Sequence, residues 1–333
     1  MKRMNHAKQI LLVCQVLFLL FVIPSCSQEK NHLLTIGTGG PGGKYSVTGM
    51  AIAKIVNKNQ EAQGFQLQDK YSSGSASKID AIMAGEIEFG IAQADRQYQA
   101  FNGLGEWEGK GPQKDLRAIF SLYTESVTLV AGRDSGINTI HDLRGKQVDI
   151  GLPGSGTRQN AIDAFDAAGM DWEEDIDAHE EKLDVRLNML MHGKLDAFFH
   201  TTGHPSQDIK FVTYSVGGAR FIPLVNIEKI SSASPYYSRS FIPIDLYPVA
   251  GNNNDVETIG VKATLLTSAE VPEDIVYAFT KAVFEDLESL GMHDPVLGAV
   301  RKENMLDGLT VPIHPGALKY YQDIGLQVPP SSL

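Results

Sequence analysis

The chain has 333 residues, of which 43% are hydrophobic, and its 29 Lys and Arg against 40 Asp and Glu give a formal net charge of −11. This composition excludes a disordered tail, a collagen-like chain and a multi-span membrane protein. The acidic balance argues against a nucleic-acid partner, because such a partner requires a basic surface. The length fits one large domain or two lobes with separate hydrophobic cores.

The N-terminal residues have the pattern of an export signal. A basic head precedes an apolar run from Ile10 to Ile23, which is shorter than the roughly 20 residues that span a bilayer. The run ends in Ile23-Pro24-Ser25-Cys26, which resembles a bacterial lipobox with an unusual proline. We predict that residues 1–25 are a lipoprotein signal peptide and that Cys26 carries a lipid. A plain signal peptide with an incidental cysteine is the alternative.

The two cysteines agree with this prediction. Cys14 lies inside the apolar run and would leave with the signal, so Cys26 has no disulfide partner in the mature chain. The protein is therefore expected to be exported and tethered to a bacterial membrane, in the periplasm or at the cell surface. Because ATP and NAD are scarce outside the cytoplasm, this location disfavours nucleotide-dependent enzymes.

The chain repeats one plan, in which an apolar strand leads through a glycine-rich turn into a helical pattern. Residues 33–56 form the first such unit and residues 147–168 the second. A further pair of segments matches almost position by position, and in each a helix is expected to end at a left-handed glycine, Gly85 or Gly193.

This repetition predicts an α/β fold of two similar lobes with mostly parallel strands. Lobe one is expected to comprise residues 33–125 and 246–333, and lobe two residues 126–245. The chain should cross near residues 121–128, return near residues 241–247, and form an amphipathic helix over residues 272–290. A ligand would then lie in a cleft between facing glycine loops. A single larger sheet with a duplicated motif is the alternative.

The glycine loops favour neither a nucleotide-binding site nor a hydrolase site. Gly43-Lys44 is followed by Tyr45, which breaks the Walker A pattern, and the G-x-G-x-x-G match over residues 37–42 is weak and unsuited to an exported protein. Around Ser155, Pro153 and Thr157 replace the glycines that a nucleophile elbow requires.

Anion capture remains as the interpretation of the second loop. Gly154-Ser155-Gly156-Thr157 opens a helix, whose free N–H groups, dipole and neighbouring hydroxyls favour a carboxylate or phosphate. The alternative is that the Ser155 and Thr157 hydroxyls cap the helix without any ligand.

A histidine pair at zinc-helix spacing, His200 and His204, does not predict a metal site. Gly203 and Pro205 disfavour a helix there, and no further ligand pattern joins the pair. We therefore predict no metal and no cofactor. His204 is expected in a loop of the cleft, and an exposed turn is the equal alternative.

Several short motifs, in order, resemble the TAXI family of solute-binding proteins, which serve TRAP-type transporters. The resemblance covers residues from about 34 to about 290. It rests on Ile36-Gly37-Thr38-Gly39, Gly42-Gly43-Lys44-Tyr45, Ser73-Gly74-Ser75, Met83-Ala84-Gly85-Glu86, Gln93-Ala94-Asp95, Asp142-Leu143-Arg144-Gly145-Lys146, Gly154-Ser155-Gly156-Thr157, Gly203-His204-Pro205 and Val271-Pro272-Glu273-Asp274.

The resemblance implies a two-lobed periplasmic binding protein fold, of a type II-like kind, that closes on its ligand. It implies a monomeric receptor rather than an enzyme, which binds a small carboxylate such as an acidic amino acid, a dicarboxylate or a 2-oxo acid. The receptor would deliver this ligand to a permease driven by an ion gradient. An exported sensor of the same fold that feeds a membrane signalling partner is one alternative, and an exported enzyme such as an esterase is another.

The resemblance also implies the binding residues. One departure from the family is Lys78, which replaces a neutral amide and would either add a positive charge to the cleft or point to solvent. Tyr45 would contact the ligand or pack under its loop, and Asp95 would bind a ligand amine or hold its own loop. The implied ligand-binding residues are Thr38, Gly39, Tyr45, Ser75, Gln93, Asp95, Ser155, Gly156, Thr157 and His204.

Overall fold

A computed structural model describes residues 32–330. The predicted signal peptide, residues 1–25, and the predicted lipidation site Cys26 lie outside the described residues. Between positions 32 and 330 no helix is both long enough and apolar enough to cross a membrane. The strands of this range are β1 His32–Thr38, β2 Phe65–Tyr71, β3 Phe89–Gln93, β4 Leu116–Gly132, β5 Gln147–Asp149, β6 Asp177–His179, β7 Ala197–Thr202, β8 Ala219–Ile222, β9 Tyr237–Ile242 and β10 Val256–Ser268.

The helices lie between and beyond these strands. Short 3₁₀ turns occur at Asn57–Asn59, Gly105–Trp107, Ile140–Leu143, Ile244–Leu246, Leu297–Ala299 and Lys302–Asn304. The α-helices are α1 Lys44–Val56, α2 Gln60–Gln63, α3 Ser75–Met83, α4 Ala94–Asn102, α5 Gly156–Ala168, α6 Trp172–Asp175, α7 Leu183–Met191, α8 Gln207–Thr213, α9 Ile227–Ala233, α10 Glu273–Glu285, α11 Leu287–Gly291 and α12 Pro315–Asp323.

The strands follow one hydrogen-bonded path in the order β2-β1-β3-β10-β4-β7-β5-β6, with β8 beside β4 and β9 beside β10. β1 is parallel to β2 and β3, and β5 is parallel to β6 and β7, whereas β10 is antiparallel to both β3 and β4. Each half therefore contains a three-stranded parallel unit whose carboxyl edge carries its glycine loop. The sheet as a whole is mixed rather than mostly parallel as predicted, because β4 and β10 also pair antiparallel with β7, β8 and β9. The antiparallel pair β4 and β10 joins the two halves.

Separate hydrophobic cores support these two halves. The first core holds buried side chains of β1, β3, α1, α3, α10 and α12, including Phe89, whose ring stacks on Phe279 with centroids 4.4 Å apart. The second half buries both faces of its sheet, because alternate residues of β4 such as Leu129 and Val130 enter different clusters. We call the elements around the first core lobe one and the others lobe two.

Both β4 and β10 run through both lobes. In β10 the residues up to Val261 pack in lobe two and pair with β9, whereas Ala263 and the residues after it pack in lobe one and pair with β3. The chain thus returns to the first core inside β10 rather than near residues 241–247, and Tyr247 packs in lobe two.

Local chemistry sets most helix ends where the sequence predicts them. α1 ends at Val56 and α5 at Ala168, and Gly85 and Gly193 adopt left-handed φ values of 69° and 66° after their helices. The helix predicted over residues 272–290 is instead two helices. It breaks at Asp286, whose backbone leaves the helical region while its carboxylate pairs with Lys58.

Candidate functional site

A cleft of about 830 Å³ lies between the lobes, at the carboxyl ends of the parallel strands of both halves. Its volume is in the range of small-molecule sites. Lobe one supplies Gly39, Gly40, Pro41, Gly42, Gly43, Lys44, Tyr45, Tyr71, Ser72, Ser73, Gly74, Ser75, Lys78, Gln93 and Glu125. Lobe two supplies Leu152, Ser155, Gly156, Thr157, Lys182, Leu183, Asp184, Arg186, Leu187, His200, Thr201, Thr202 and Asp208.

Three helix N-termini meet at this cleft. α1 begins after Gly43, α3 after Gly74 and α5 after Ser155, and each of these capping residues lines the cleft. None of the three helices carries an acidic residue in its first turn. The positive ends of the three helix dipoles, with their free N–H groups, are therefore not neutralised by the helices' own side chains. The arrangement favours an anion in the cleft.

Lys78 reaches this cleft from α3. The residue is 1% exposed, and its Nζ donates to the carbonyl oxygen of Thr38 at 3.5 Å and lies 4.8 Å from the centroid of the Tyr45 ring. Burial lowers the pKa of the Lys78 ammonium to about 7, against the opposing attraction of Glu125. An ammonium can donate three hydrogen bonds. Of the two orientations considered from sequence, the structure has the inward one.

Glu125 is the acidic counterpart, on β4. It is 3% exposed, and its Oε2 accepts a hydrogen bond of 2.5 Å from the Tyr45 hydroxyl. Burial raises the pKa of Glu125 to about 8, although the hydrogen bond from Tyr45 and the charge of Lys78 act in the opposite direction. Among the ion pairs of residues 32–330, none joins Lys78 to Glu125.

The two lobes touch each other at one edge of the cleft. The Ala76 N–H donates to the carbonyl oxygen of Gly154 at 3.2 Å, and a Cβ on Gly74 would lie 2.6 Å from that oxygen. A Cβ on Gly156 would overlap the amide of Gln93, which ends β3. Glycines at these positions therefore allow the N-termini of α3 and α5 to meet, and the lobes are closed at this edge.

The wall of lobe two contains a buried ion pair. Arg186 on α7 donates to Oδ1 of Asp149 at 3.0 Å and to the carbonyl oxygen of Phe199 at 2.9 Å. Beside it, burial and the nearby Arg186 charge hold the pKa of His200 well below its usual value, so this ring is neutral. Arg186 is therefore already paired within the protein.

Seven of the ten implied binding residues line the cleft, and the other three do not. Thr38 is buried and its hydroxyl donates to the carbonyl oxygen of Lys70. Asp95 is fully buried and accepts a hydrogen bond of 3.0 Å from Asn160 of lobe two. The residues on the cleft are Gly39, Tyr45, Ser75, Gln93, Ser155, Gly156 and Thr157.

His204 is the third residue away from the cleft lining. Its Nε2 lies 3.0 Å from the Thr128 hydroxyl, and its Nδ1 contacts the Tyr247 hydroxyl. Burial lowers the pKa of His204 to about 3, so the ring is neutral. These bonds fix the loop after β7 to neighbouring elements of lobe two.

The hydroxyls of the second glycine loop are also engaged within the protein. Ser155 Oγ accepts from the N–H of Arg158 at 3.2 Å, and Thr157 Oγ1 accepts from the N–H of Thr201 at 3.2 Å. The capping role considered for Ser155 is therefore present. At this loop, the backbone N–H groups of α5 are the donors left for a ligand.

Glu125, Arg186 and Asp208 line the cleft although sequence reasoning missed them. The one signal for Glu125 was a charged residue within an otherwise apolar strand pattern, which is unusual for a buried strand. Within residues 32–330 no group of three or more His, Cys, Asp or Glu side chains is arranged to hold a metal ion.

Two lobes joined by crossing strands, with a polar cleft between them, define the fold of the two-lobed periplasmic binding proteins, which confirms the predicted fold class. MatC from Rhodopseudomonas palustris, solved with bound malate, has this fold, with a TM-score of 0.57, 13% identity, and coverage of 88% of this chain and 97% of MatC. A putative L-cystine ABC transporter protein from Listeria monocytogenes has a TM-score of 0.50, 15% identity, and coverage of 80% and 97%.

Within this class, the chain belongs to the NMT1-like family, whose pattern matches residues 36–325. This match covers both lobes. Membership of the TAXI family stays a prediction from the short motifs.

Proposed function

We propose that the protein is an extracytoplasmic solute receptor that binds a small carboxylate in the interlobe cleft and has no catalytic role. The observation that carries this proposal is the buried Lys78 ammonium, which forms no ion pair within residues 32–330 and lies where three helix N-termini meet. A buried charge without a partner is costly, and an anionic ligand removes that cost. MatC supports the proposal through its fold and its bound malate.

Ligand binding would proceed by closure of the lobes. A carboxylate in the cleft accepts hydrogen bonds from Lys78 and from backbone N–H groups at the starts of α1, α3 and α5. Because these donors belong to both lobes, the ligand binds the closed state better than the open one and shifts the equilibrium toward it. The hinge is the pair of crossing strands, β4 and β10, which divides lobe one from lobe two.

The partner of this receptor is proposed to be a TRAP-type permease. The ordered motifs of both lobes support this assignment, through their resemblance to the TAXI family. In this proposal a lipid on Cys26 keeps the receptor at the membrane, and the closed lobes present the docking face to the permease. Adjacent genes for TRAP permease subunits are the expected genomic context, and genes for a membrane kinase in their place would contradict this partner.

A thermal-unfolding screen tests the receptor function. The purified protein is first unfolded and refolded in ligand-free buffer, and then mixed with acidic amino acids, dicarboxylates, 2-oxo acids and phosphates. A ligand at one hundred times its Kd adds about 2.7 kcal/mol to the free energy of unfolding, which raises the melting temperature. We expect a rise with at least one carboxylate.

Matched variants decide whether the cleft produces that rise. The rise should disappear in Lys78→Met and persist in Lys54→Met, because Lys54 is an exposed lysine of α1 outside the cleft. Failure of every carboxylate to stabilise the refolded protein would overturn the proposal.

A further inference from the structure

Two buried ionisable groups, one basic and one acidic, face the cleft on either side of one aromatic ring. The Tyr45 ring carries the Lys78 ammonium 4.8 Å from its centroid, and its hydroxyl donates to Oε2 of Glu125. Both charged residues line the cleft, yet they form no ion pair with each other or with any other residue between positions 32 and 330. This arrangement differs from a structural salt bridge, in which buried charges meet directly.

The groups around Glu125 come from every element packed against it. Tyr45 on α1 and Tyr123 on β4 are uncharged at neutral pH, because burial raises the pKa of both hydroxyls well above the usual value. Gln93 at the end of β3 is a neutral hydrogen-bond partner, and Asp95 on α4 is a second acid, which bonds to Asn160 instead. Lys78 on α3 is the one cation among these neighbours. Among the described residues 32–330, Glu125 therefore has hydrogen-bond partners in Tyr45 and Gln93 but forms no ion pair.

A ligand with only a carboxylate would satisfy half of this site. Its negative charge would pair with Lys78, but Glu125 would then have to stay protonated, because an ionised Glu125 would repel the ligand carboxylate, and it would face no cation. A ligand that also carries an ammonium group compensates both buried charges at once. Tyr45 donates to Oε2 of Glu125, and because each carboxylate oxygen can accept more than one hydrogen bond, Glu125 keeps acceptor capacity for that ammonium beside Tyr45 and Gln93.

We propose that Glu125 is the specificity-determining residue of the cleft and that the ligand is an amino acid, whose carboxylate binds Lys78 and whose ammonium binds Glu125. This inference rests on the proposed function and narrows its ligand class. By the same inference, Glu125 also discriminates against the deaminated analogue of the ligand, which has no ammonium group to bind it.

The proton balance of the pair separates the two kinds of ligand. With the pKa of Lys78 near 7 and that of Glu125 near 8, the empty pair holds about one proton at about pH 7.5, midway between the two values. An amino acid leaves Lys78 protonated and Glu125 ionised, which is again about one proton. A deaminated anion requires both groups protonated, so its binding takes up about one proton from the buffer.

Isothermal titration calorimetry on the purified receptor tests the inference. The probes are the common L-amino acids together with the deaminated partners of those that bind, such as glutarate for glutamate and propionate for alanine. We expect at least one amino acid to bind roughly 100-fold tighter or more than its partner, because the partner leaves Glu125 unpaired. Its heat of binding at about pH 7.5, compared between buffers of different ionisation enthalpy, should show net proton exchange close to zero.

Glu125→Gln is the diagnostic variant, since the amide keeps the size of the side chain and can still accept from Tyr45. It should lower amino-acid affinity by roughly 100-fold and leave the deaminated partner within about threefold, so that the two ligands bind alike. Glu61→Gln, at an exposed position of α2, is the matched control and should leave both affinities unchanged.

The outcomes separate the two proposals. A deaminated acid that binds the unmodified receptor as tightly as any amino acid, with uptake of about one proton, overturns the ligand class and leaves the carboxylate receptor standing. Binding of no carboxylate of either kind overturns the proposed function as well. The comparison of ligands on the unmodified receptor does not depend on whether the variant folds.

Discussion

Each lobe buries one pair of opposite charges beside the cleft, and the two pairs differ in one respect. In lobe two, Arg186 contacts Asp149 at 3.0 Å, and Asp149 also accepts from the N–H groups of Gly151 and Glu181. In lobe one, Lys78 and Glu125 are equally buried but do not meet. Burial of a charge alone therefore does not identify a binding residue. What distinguishes Lys78 and Glu125 is that both line the cleft and neither forms an ion pair within residues 32–330.

The largest expected effect is a loss of stability when the ion pair of lobe two is broken. Arg186→Met leaves the Asp149 carboxylate buried without its cation, so the free energy of unfolding should fall by about 3–5 kcal/mol. Urea denaturation of the unliganded protein measures this change. Ligand affinity of the folded fraction should change little, and a large loss of affinity at normal stability would show that Arg186 serves the ligand instead.

Substitution of Lys78, unlike that of Arg186, is expected to reduce ligand affinity without reducing stability. Lys78→Met removes the ion partner of the ligand, so carboxylate affinity should fall by about 100-fold or more, which is the usual cost of truncating a buried charge partner. The unliganded protein should be as stable as before or more stable, because a buried ammonium has gone. Calorimetry and urea denaturation on one preparation check both expectations, and a stability loss like that of Arg186→Met would contradict them.

The pH dependence of the free energy of unfolding tests whether Glu125 is uncompensated in the empty cleft. Its pKa is about 8 in the folded protein, above the ordinary value of 4.5, so its stabilising contribution is complete below pH 4.5 and is lost as pH rises through 8. In the unliganded protein this residue should lower the free energy of unfolding by about 1.4 kcal/mol per pH unit between pH 5 and 7.

Glu125→Gln has no titrating group at this position. The difference in unfolding free energy between the variant and the unmodified protein should therefore grow by about 1.4 kcal/mol per pH unit over the same range. Parallel pH curves for the two proteins would mean that Glu125 is ionised and already compensated in the empty cleft.

The smallest effects are expected at the second glycine loop. The Ser155 hydroxyl caps α5 and the Thr157 hydroxyl accepts from Thr201, so Ser155→Ala and Thr157→Ala should each cost about 1 kcal/mol of stability. Ligand affinity should change less than about threefold, since the backbone N–H groups remain. A tenfold loss of affinity at unchanged stability would instead restore the direct ligand contact implied by the sequence.

Features decided by neighbours in the chain could be predicted from the sequence. The glycine-loop helices and their left-handed stops at Gly85 and Gly193 follow from local backbone chemistry, and the structure has them at the expected positions. The two α/β halves followed from the repetition of such local units. The break at Asp286 was not predicted, and the residue that its carboxylate contacts, Lys58, is 228 residues away in the chain.

The candidate site could be predicted only in part, for the same physical reason. Tyr45 and Gln93 follow glycine loops or strand ends, and these positions alone direct them to the cleft. Glu125 lies in the middle of a long strand, where nothing local marks it as a cleft residue. Its hydrogen-bond partner at the cleft, Tyr45, is 80 residues earlier in the chain. Conversely, Asp95 and His204 stand in motif positions but bond to Asn160 and Tyr247, which nothing local reveals.

The place of β10 in the sheet also determines how the chain has to assemble. β10 is inserted between β3 and β4, and Thr264 bonds to the carbonyl oxygen of Ala92, 172 residues earlier in the chain. As the chain is synthesised from its N-terminus, every other strand of lobe two, through β9, is made before this strand appears. Closing so large a loop is slow, because its entropy is lost before its contacts form. Until β10 is made, the edges of β3 and β4 that will pair with it have unpaired backbone N–H and C=O groups. These two edges are therefore sites at which the newly made chain can mispair with other strands.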